Sequence, residues 1–135
     1  MNAYKLSESL AVSGQISPAA VAEIAAAGFK VLINNRPDGE EQGQPDSAEI
    51  AAAAEELGLE YHYLPVNGLN FPGDHLQQMA DLFDDVDRPA FAFCRTGTRC
   101  SNLWVLSRDP EERERAAQLA SKIGFDLSMV ARVLG

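Results

Sequence analysis

Lysine and arginine are scarce in this chain. Its 135 residues carry 11 of them against 20 aspartates and glutamates, a formal net charge of −9. Binding nucleic acid without regard to sequence needs phosphate-neutralising cations, so the balance argues against it, and any anion site has to be local. No apolar run approaches the roughly 20 residues of a membrane span. Met1-Asn2-Ala3-Tyr4-Lys5 has no secretory apolar segment, so the expectation is a cytoplasmic protein without a membrane partner. There are only two cysteines, without the spacing of a disulfide framework, and a reducing compartment suits them. His62 and His75 show no metal-ligand spacing with each other or with the cysteines; both read as structural, and no metal or cofactor is expected.

What is present is a regular alternation of strand and helix signals, with no linker, repeat or low-complexity tract. Residues 1–135 read as one domain able to bury a single core. Strands are expected at Leu10–Gly14, Phe29–Ile33, Leu59–Val66 and Ala90–Phe93. Helices are expected after Ser17-Pro18, after an Asp46/Glu49 capping box, from Asp74 with Gln77, after Cys94 and after Asp109-Pro110, with a short last helix beyond Gly124. Such an order builds an α/β fold, a mostly parallel central sheet with helices on both faces. Ligands of these sheets bind beyond the carboxyl ends of the strands. Three loops leave those ends: Asn34–Pro45, Asn67–Gly73 and the segment beginning at Cys94.

The last of these is the most informative. Phe93-Cys94-Arg95-Thr96-Gly97-Thr98-Arg99-Cys100 joins a short apolar strand to a helix through a glycine turn. A lone cysteine at a strand end is usually core filler. Here the free N–H groups of the turn, the positive end of the helix dipole and two guanidiniums converge on the thiol, lowering its pKa and holding an oxyanion beside it. Cys94 is therefore the candidate nucleophile and Arg99 its catalytic partner. Arg95, Thr96, Gly97, Thr98 and Cys100 are candidate anion-binding positions. Cys100, one turn into the helix, reads first as packing and second as a resolving thiol. In the charged 34–45 loop, Arg36 and Asp38 are candidates for substrate contact, with a solvated Pro37-Asp38-Gly39 turn as the alternative.

With these pieces assembled, the chain resembles the bacterial family of phosphatase-like domains related to beta-lactamase hydrolase-like proteins. The resemblance is carried by Val12-Ser13-Gly14-Gln15, by Val31 to Glu40, by Tyr63-Leu64-Pro65-Val66 and by Phe93 to Arg99. It implies the fold of the dual-specificity tyrosine phosphatases. Relatives fused to persulfide dioxygenase domains associate the phosphatase-like part with sulfur transfer, which implies such a dioxygenase as a partner.

Two departures bear on the chemistry. Tyrosine phosphatases place five residues between nucleophile and arginine; here four separate Cys94 from Arg99, and Cys100 stands at the expected position. The shorter loop, with arginine directly after the cysteine, is similar to that of rhodanese-type sulfurtransferases. Phosphatases of this type also carry a proton-donating aspartate after the strand that ends at Val66, where this chain has Asn67-Gly68; Asp38 and Asp74 are the weaker substitutes. The leading expectation is a sulfurtransferase that holds a Cys94 persulfide taken from thiosulfate or a small persulfide and passes it to a small thiol acceptor. The alternative is a phosphatase with a Cys94 phosphocysteine intermediate. A non-catalytic anion-binding or redox module, with a Cys94–Cys100 disulfide, is the third.

Overall fold

The computed structural model describes residues 2–135. Five strands form one sheet in the order β1-β2-β5-β3-β4: β1 Ala3–Ser7, β2 Leu10–Ser13, β3 Val31–Asn34, β4 Glu60–Tyr63 and β5 Ala90–Phe93. The pairs β2–β5, β5–β3 and β3–β4 are parallel, and β1 folds back antiparallel on β2. All residues of β2, β3 and β5 are buried, the pattern of strands covered on both faces.

Among the described residues there are six α-helices: α1 Val21–Ala26, α2 Ser47–Glu56, α3 Leu76–Phe83, α4 Thr98–Leu106, α5 Arg113–Ile123 and α6 Ser128–Leu134. Side-chain alternation along the strands divides the core. Ala11, Leu32, Phe91 and Phe93 pack with Ile24 of α1 and Ile50 of α2. Val12, Ile33, Ala90 and Ala92 pack with Phe83, Leu103, Ala120 and Val130 from α3 to α6. Helices therefore cover both faces of a mostly parallel sheet, as the alternating signals predict.

One strand is missed and two local expectations need correction. β1 is short and its first three residues are exposed, so the sequence reading passes over it. Asp46 stands before α2 but makes no side-chain cap; the N–H of Ser47 is met by Oδ1 of Asp38 at 2.8 Å. Asp74 is not the cap of α3 either, since the helix starts at Leu76 behind His75. The turn glycine Gly124 does end α5, at φ 121°.

Strand register prepares the site. Ser13, Phe93 and Asn34 lie side by side at the carboxyl edge, and the residues after them continue the pairing: Cys94 N–H to Ser13 O at 3.3 Å and Asn35 N–H to Phe93 O at 2.9 Å. The loops after β2, β3 and β5 thus leave together from the middle of the sheet.

Candidate active site

Cys94 follows the last residue of β5 and is fully buried. The chain then turns through Gly97, in the left-handed region at φ 89°, and enters α4 at Thr98. A Cβ on Gly97 would come within 3.1 Å of the Phe125 ring, so both conformation and space require glycine there. The N–H of Gly97 donates to Cys94 Sγ at 3.1 Å. Ser101 Oγ donates back to Gly97 O at 2.9 Å, tying the turn to the helix. Asn102 donates to Thr98 O and Asp126 O and accepts from Val130 N, fixing the start of α4 against the α5–α6 connection.

The other face of the turn meets the loop after β2. Gln15 N–H donates to Arg95 O at 3.3 Å, and a Cβ on Gly14 would stand 2.9 Å from that same oxygen. Glycine at 14 is what lets the two main chains cross.

The thiol of Cys94 is held well below the ordinary range, at about 6. The largest cause is the hydrogen bond from the Cys100 thiol; burial works against it, and the main-chain N–H groups of Cys100 and Thr96 and the charge of Arg99 add to the lowering. Cys100 is pushed the other way, first by its own burial and then by its negative neighbour. The two thiols are thus driven apart, Cys94 toward the thiolate and Cys100 toward the protonated form. The sequence-based assignment of the lowering to two arginines needs correction: Arg99 contributes, Arg95 lies outward with its side chain 64% exposed, and Cys100 does more than pack.

The 34–45 loop supplies the residue that sequence reasoning passes over. Glu40 accepts from Arg99 Nη1 at 2.7 Å and from Arg99 Nη2 at 2.8 Å, and Nη1 also donates to Val66 O at 2.9 Å. Three of the five guanidinium donors are thereby taken. Nε–H and the second Nη2–H, which share the side edge of the fork, have no protein partner among the described residues and are free for an oxyanion. Glu40 Oε1 also accepts from Nε of Arg36 at 2.9 Å. The hydrogen bond from Arg99, and with it Arg36, holds the Glu40 carboxyl below the usual range against the effect of burial. Arg36 is buried, donates through Nη1 to Gln15 Oε1 at 3.0 Å and keeps Nη2 without a hydrogen-bond partner. The signals for Glu40 in the sequence are its place four residues after Arg36 and at the end of the stretch that carries the family resemblance.

The remaining candidates fall as follows. Thr96 and Thr98 hydroxyls bond each other at 2.9 Å on the outer turn. Asp38, expected to face substrate, is turned away: its carboxylate caps α2 and its N–H meets Tyr63 Oη at 2.9 Å. Asn67 accepts from Leu69 N and Asn70 N within its own turn. The ionised, doubly bonded Glu40 is no acid either, which leaves Asp74, exposed and not the cap of α3, as the remaining carboxyl named for that role. Among the described residues no three His, Cys, Asp or Glu side chains gather as metal donors, and no helix is long and apolar enough to cross a membrane.

This architecture has known counterparts. A candidate phosphatase from Neisseria meningitidis is 37% identical, with 87% of each chain covered and a TM-score of 0.70. The protein tyrosine phosphatase Tk-PTP in its active form, 18% identical, shares the fold with a TM-score of 0.74 over 98% of this chain and 92% of that one. A beta-lactamase hydrolase-like protein of Agrobacterium fabrum is 34% identical over 99% of this chain, which spans about a third of that relative's length (32%). The family described as "Beta-lactamase hydrolase-like protein, phosphatase-like domain" matches residues 3–110. By this match, by its α/β sheet of the tyrosine-phosphatase kind and by the cysteine loop at its edge, the chain belongs to the phosphatase-like domain family of the beta-lactamase hydrolase-like proteins.

Proposed function

We propose that this protein is a cysteine-dependent phosphatase. The Cys94 thiolate attacks phosphorus, the open edge of Arg99 and the N–H groups of the turn hold the non-bridging oxygens, and water releases phosphate from the phosphocysteine. The observation that carries the reading is a thiol at about 6 at the foot of a turn whose arginine is pre-set by Glu40 with two donors free. The family description and the tyrosine-phosphatase fold of the neighbours favour this reaction over sulfur transfer. A reduced thiol pair also suits a reducing compartment such as the cytoplasm.

Sulfur transfer is kept as a second reading because of one feature. With Asn67 engaged in its own turn and Asp38 capping α2, neither supplies a proton to a leaving oxygen, whereas sulfite leaves thiosulfate without one. The four-residue loop points the same way; such a reaction would pass its sulfur to a small thiol, with a persulfide dioxygenase as the proposed partner.

Aryl phosphate hydrolysis and thiosulfate:cyanide transfer, measured on one preparation with mass spectrometry of Cys94, separate the two. Turnover of aryl phosphate that is lost in a folded Cys94→Ser variant supports the phosphatase. A stable gain of one sulfur on Cys94, without phosphate release, would replace it with the sulfurtransferase.

A further inference from the structure

Arg36 is only 2% exposed, yet its Nη2 has no hydrogen-bond partner. Buried guanidinium donors are ordinarily satisfied, so an idle one needs an explanation. The nearest acceptor is Oε1 of Glu41 at 3.9 Å, beyond hydrogen-bond range. The other oxygen of that carboxylate lies 3.4 Å from Nη2 of Arg95. Glu41 and Arg95 are both exposed, at 58% and 64% of their side chains. A carboxylate thus rests loosely between a buried and an exposed guanidinium, bonded well to neither.

This position adjoins the anion site over Cys94. Oε1 of Glu40 accepts from Arg36 Nε and from Arg99 Nη2, so the two guanidiniums share one oxygen and stand next to each other. On the far side of Arg95 a cavity of about 560 Å³, lined by Ser13, Gly14, Gln15, Ser17 and Arg95, has room for the rest of a substrate.

Two adjacent anion positions imply two adjacent anionic groups. From this arrangement we infer that the substrate carries a diphosphate: its terminal phosphoryl group sits over Cys94 and Arg99, and its inner phosphate takes the place of the Glu41 carboxylate between Arg36 and Arg95. The inference rests on the phosphatase reading. It also fits a site in which neither Asn67 nor Asp38 is placed to protonate a leaving oxygen. As the S–P bond forms, the anhydride P–O bond breaks, and its electron pair and the bridging oxygen leave on the inner phosphate. The second pKa of such a phosphate is about 6, against about 10 for a phenol, so it departs unprotonated. Water then attacks the phosphocysteine, orthophosphate leaves with the water's oxygen, its proton is released to solvent and the thiolate is restored.

The test is protection of Cys94 from iodoacetamide by inorganic orthophosphate or inorganic diphosphate, which reads anion binding whatever reaction the site performs. Diphosphate is expected to half-protect at a concentration at least about tenfold lower than orthophosphate, the scale of one added charge-assisted contact. In Arg95→Gln that ratio falls to near one. In Glu41→Gln, with the competing carboxylate gone, it grows. A ratio near one in the native protein, or one that survives Arg95→Gln, overturns the inference. Brisk aryl phosphate turnover with a ratio near one would remove the diphosphate position and leave the phosphatase. No phosphoester or anhydride turnover with the ratio intact would remove the phosphatase and, with it, diphosphate as a substrate.

Discussion

Glu40 holds both terminal nitrogens of Arg99, at 2.7 and 2.8 Å, across 59 positions of sequence. The same carboxylate receives Nε of Arg36, so one acidic side chain fixes a largely buried arginine and a fully buried one. Bidentate pairing of this kind sets orientation as well as energy. It lets a chain of net charge −9 present a directed cationic edge beside a thiolate.

Glu40→Gln tests that role. An amide matches one guanidinium nitrogen and turns a donor toward the other, so Arg99 loses its fixed direction and Arg36 loses a charged partner. The expected outcome is a fall in kcat/KM of about tenfold or more and a loss of about 1–3 kcal/mol of stability. Steady-state kinetics and urea unfolding check it; a variant with native kcat/KM would show that Arg99 is oriented without Glu40.

Cys94 should alkylate along a curve that rises through pH of about 6 and levels above it, because the thiolate is the reactive form and its pKa is lowered. The acid limb of kcat/KM should follow. Cys100→Ala removes the donor that contributes most and should move the midpoint upward; Cys100→Ser keeps a donor and should move it less. Equal curves for native protein and Cys100→Ala would show that the helix end and Arg99 suffice.

Gly68 has open space where a Cβ would stand, so Gly68→Asp is accommodated. If the missing proton donor limits phenol departure, this change should raise phenyl phosphate turnover about tenfold or more and leave substrates with strongly acidic leaving groups nearly unchanged. Inserting one residue between Thr98 and Arg99 should add to the gain if the short loop cramps the phosphoryl group. Rates for both leaving groups, measured on the same variant, decide the matter.

Gly14→Ala places a Cβ 2.9 Å from Arg95 O, where main chain meets main chain. The strand edge has to give or the cysteine turn has to move. We expect a cost of about 1–3 kcal/mol, as for other overpacked sites, together with a deeper loss of turnover than the stability change explains. Thermal unfolding beside kinetics checks it; unchanged activity would show the turn tolerates displacement.

Much of the fold is legible in the amino acids alone. The short apolar runs ending at Ile33 and Phe93, the Ser17-Pro18 start and the Gly124 stop are local signals, governed by periodicity and backbone sterics that operate over a few residues. The cysteine turn is legible for the same reason, since Cys94, Gly97 and Arg99 are contiguous. The edge strand β1 escapes because it is only five residues long with a single fully buried one, and the cap of α2 escapes because Asp38 and Asp46 are chemically equal until folding places one of them at the Ser47 N–H.

The sequence by itself determined a parallel-sheet α/β chain with a nucleophilic turn at a strand end, because those features depend on neighbours along the chain. Only tertiary structure decided what surrounds the sulfur. Pairing β5 between β2 and β3 draws Gln15, Arg36, Glu40 and Arg99 into one network, and the turn at Gly97 aims its N–H at the sulfur of Cys94. Hydrogen bonds and charges act through space over a few ångströms, and sequence separation carries no record of which side chains will come that close.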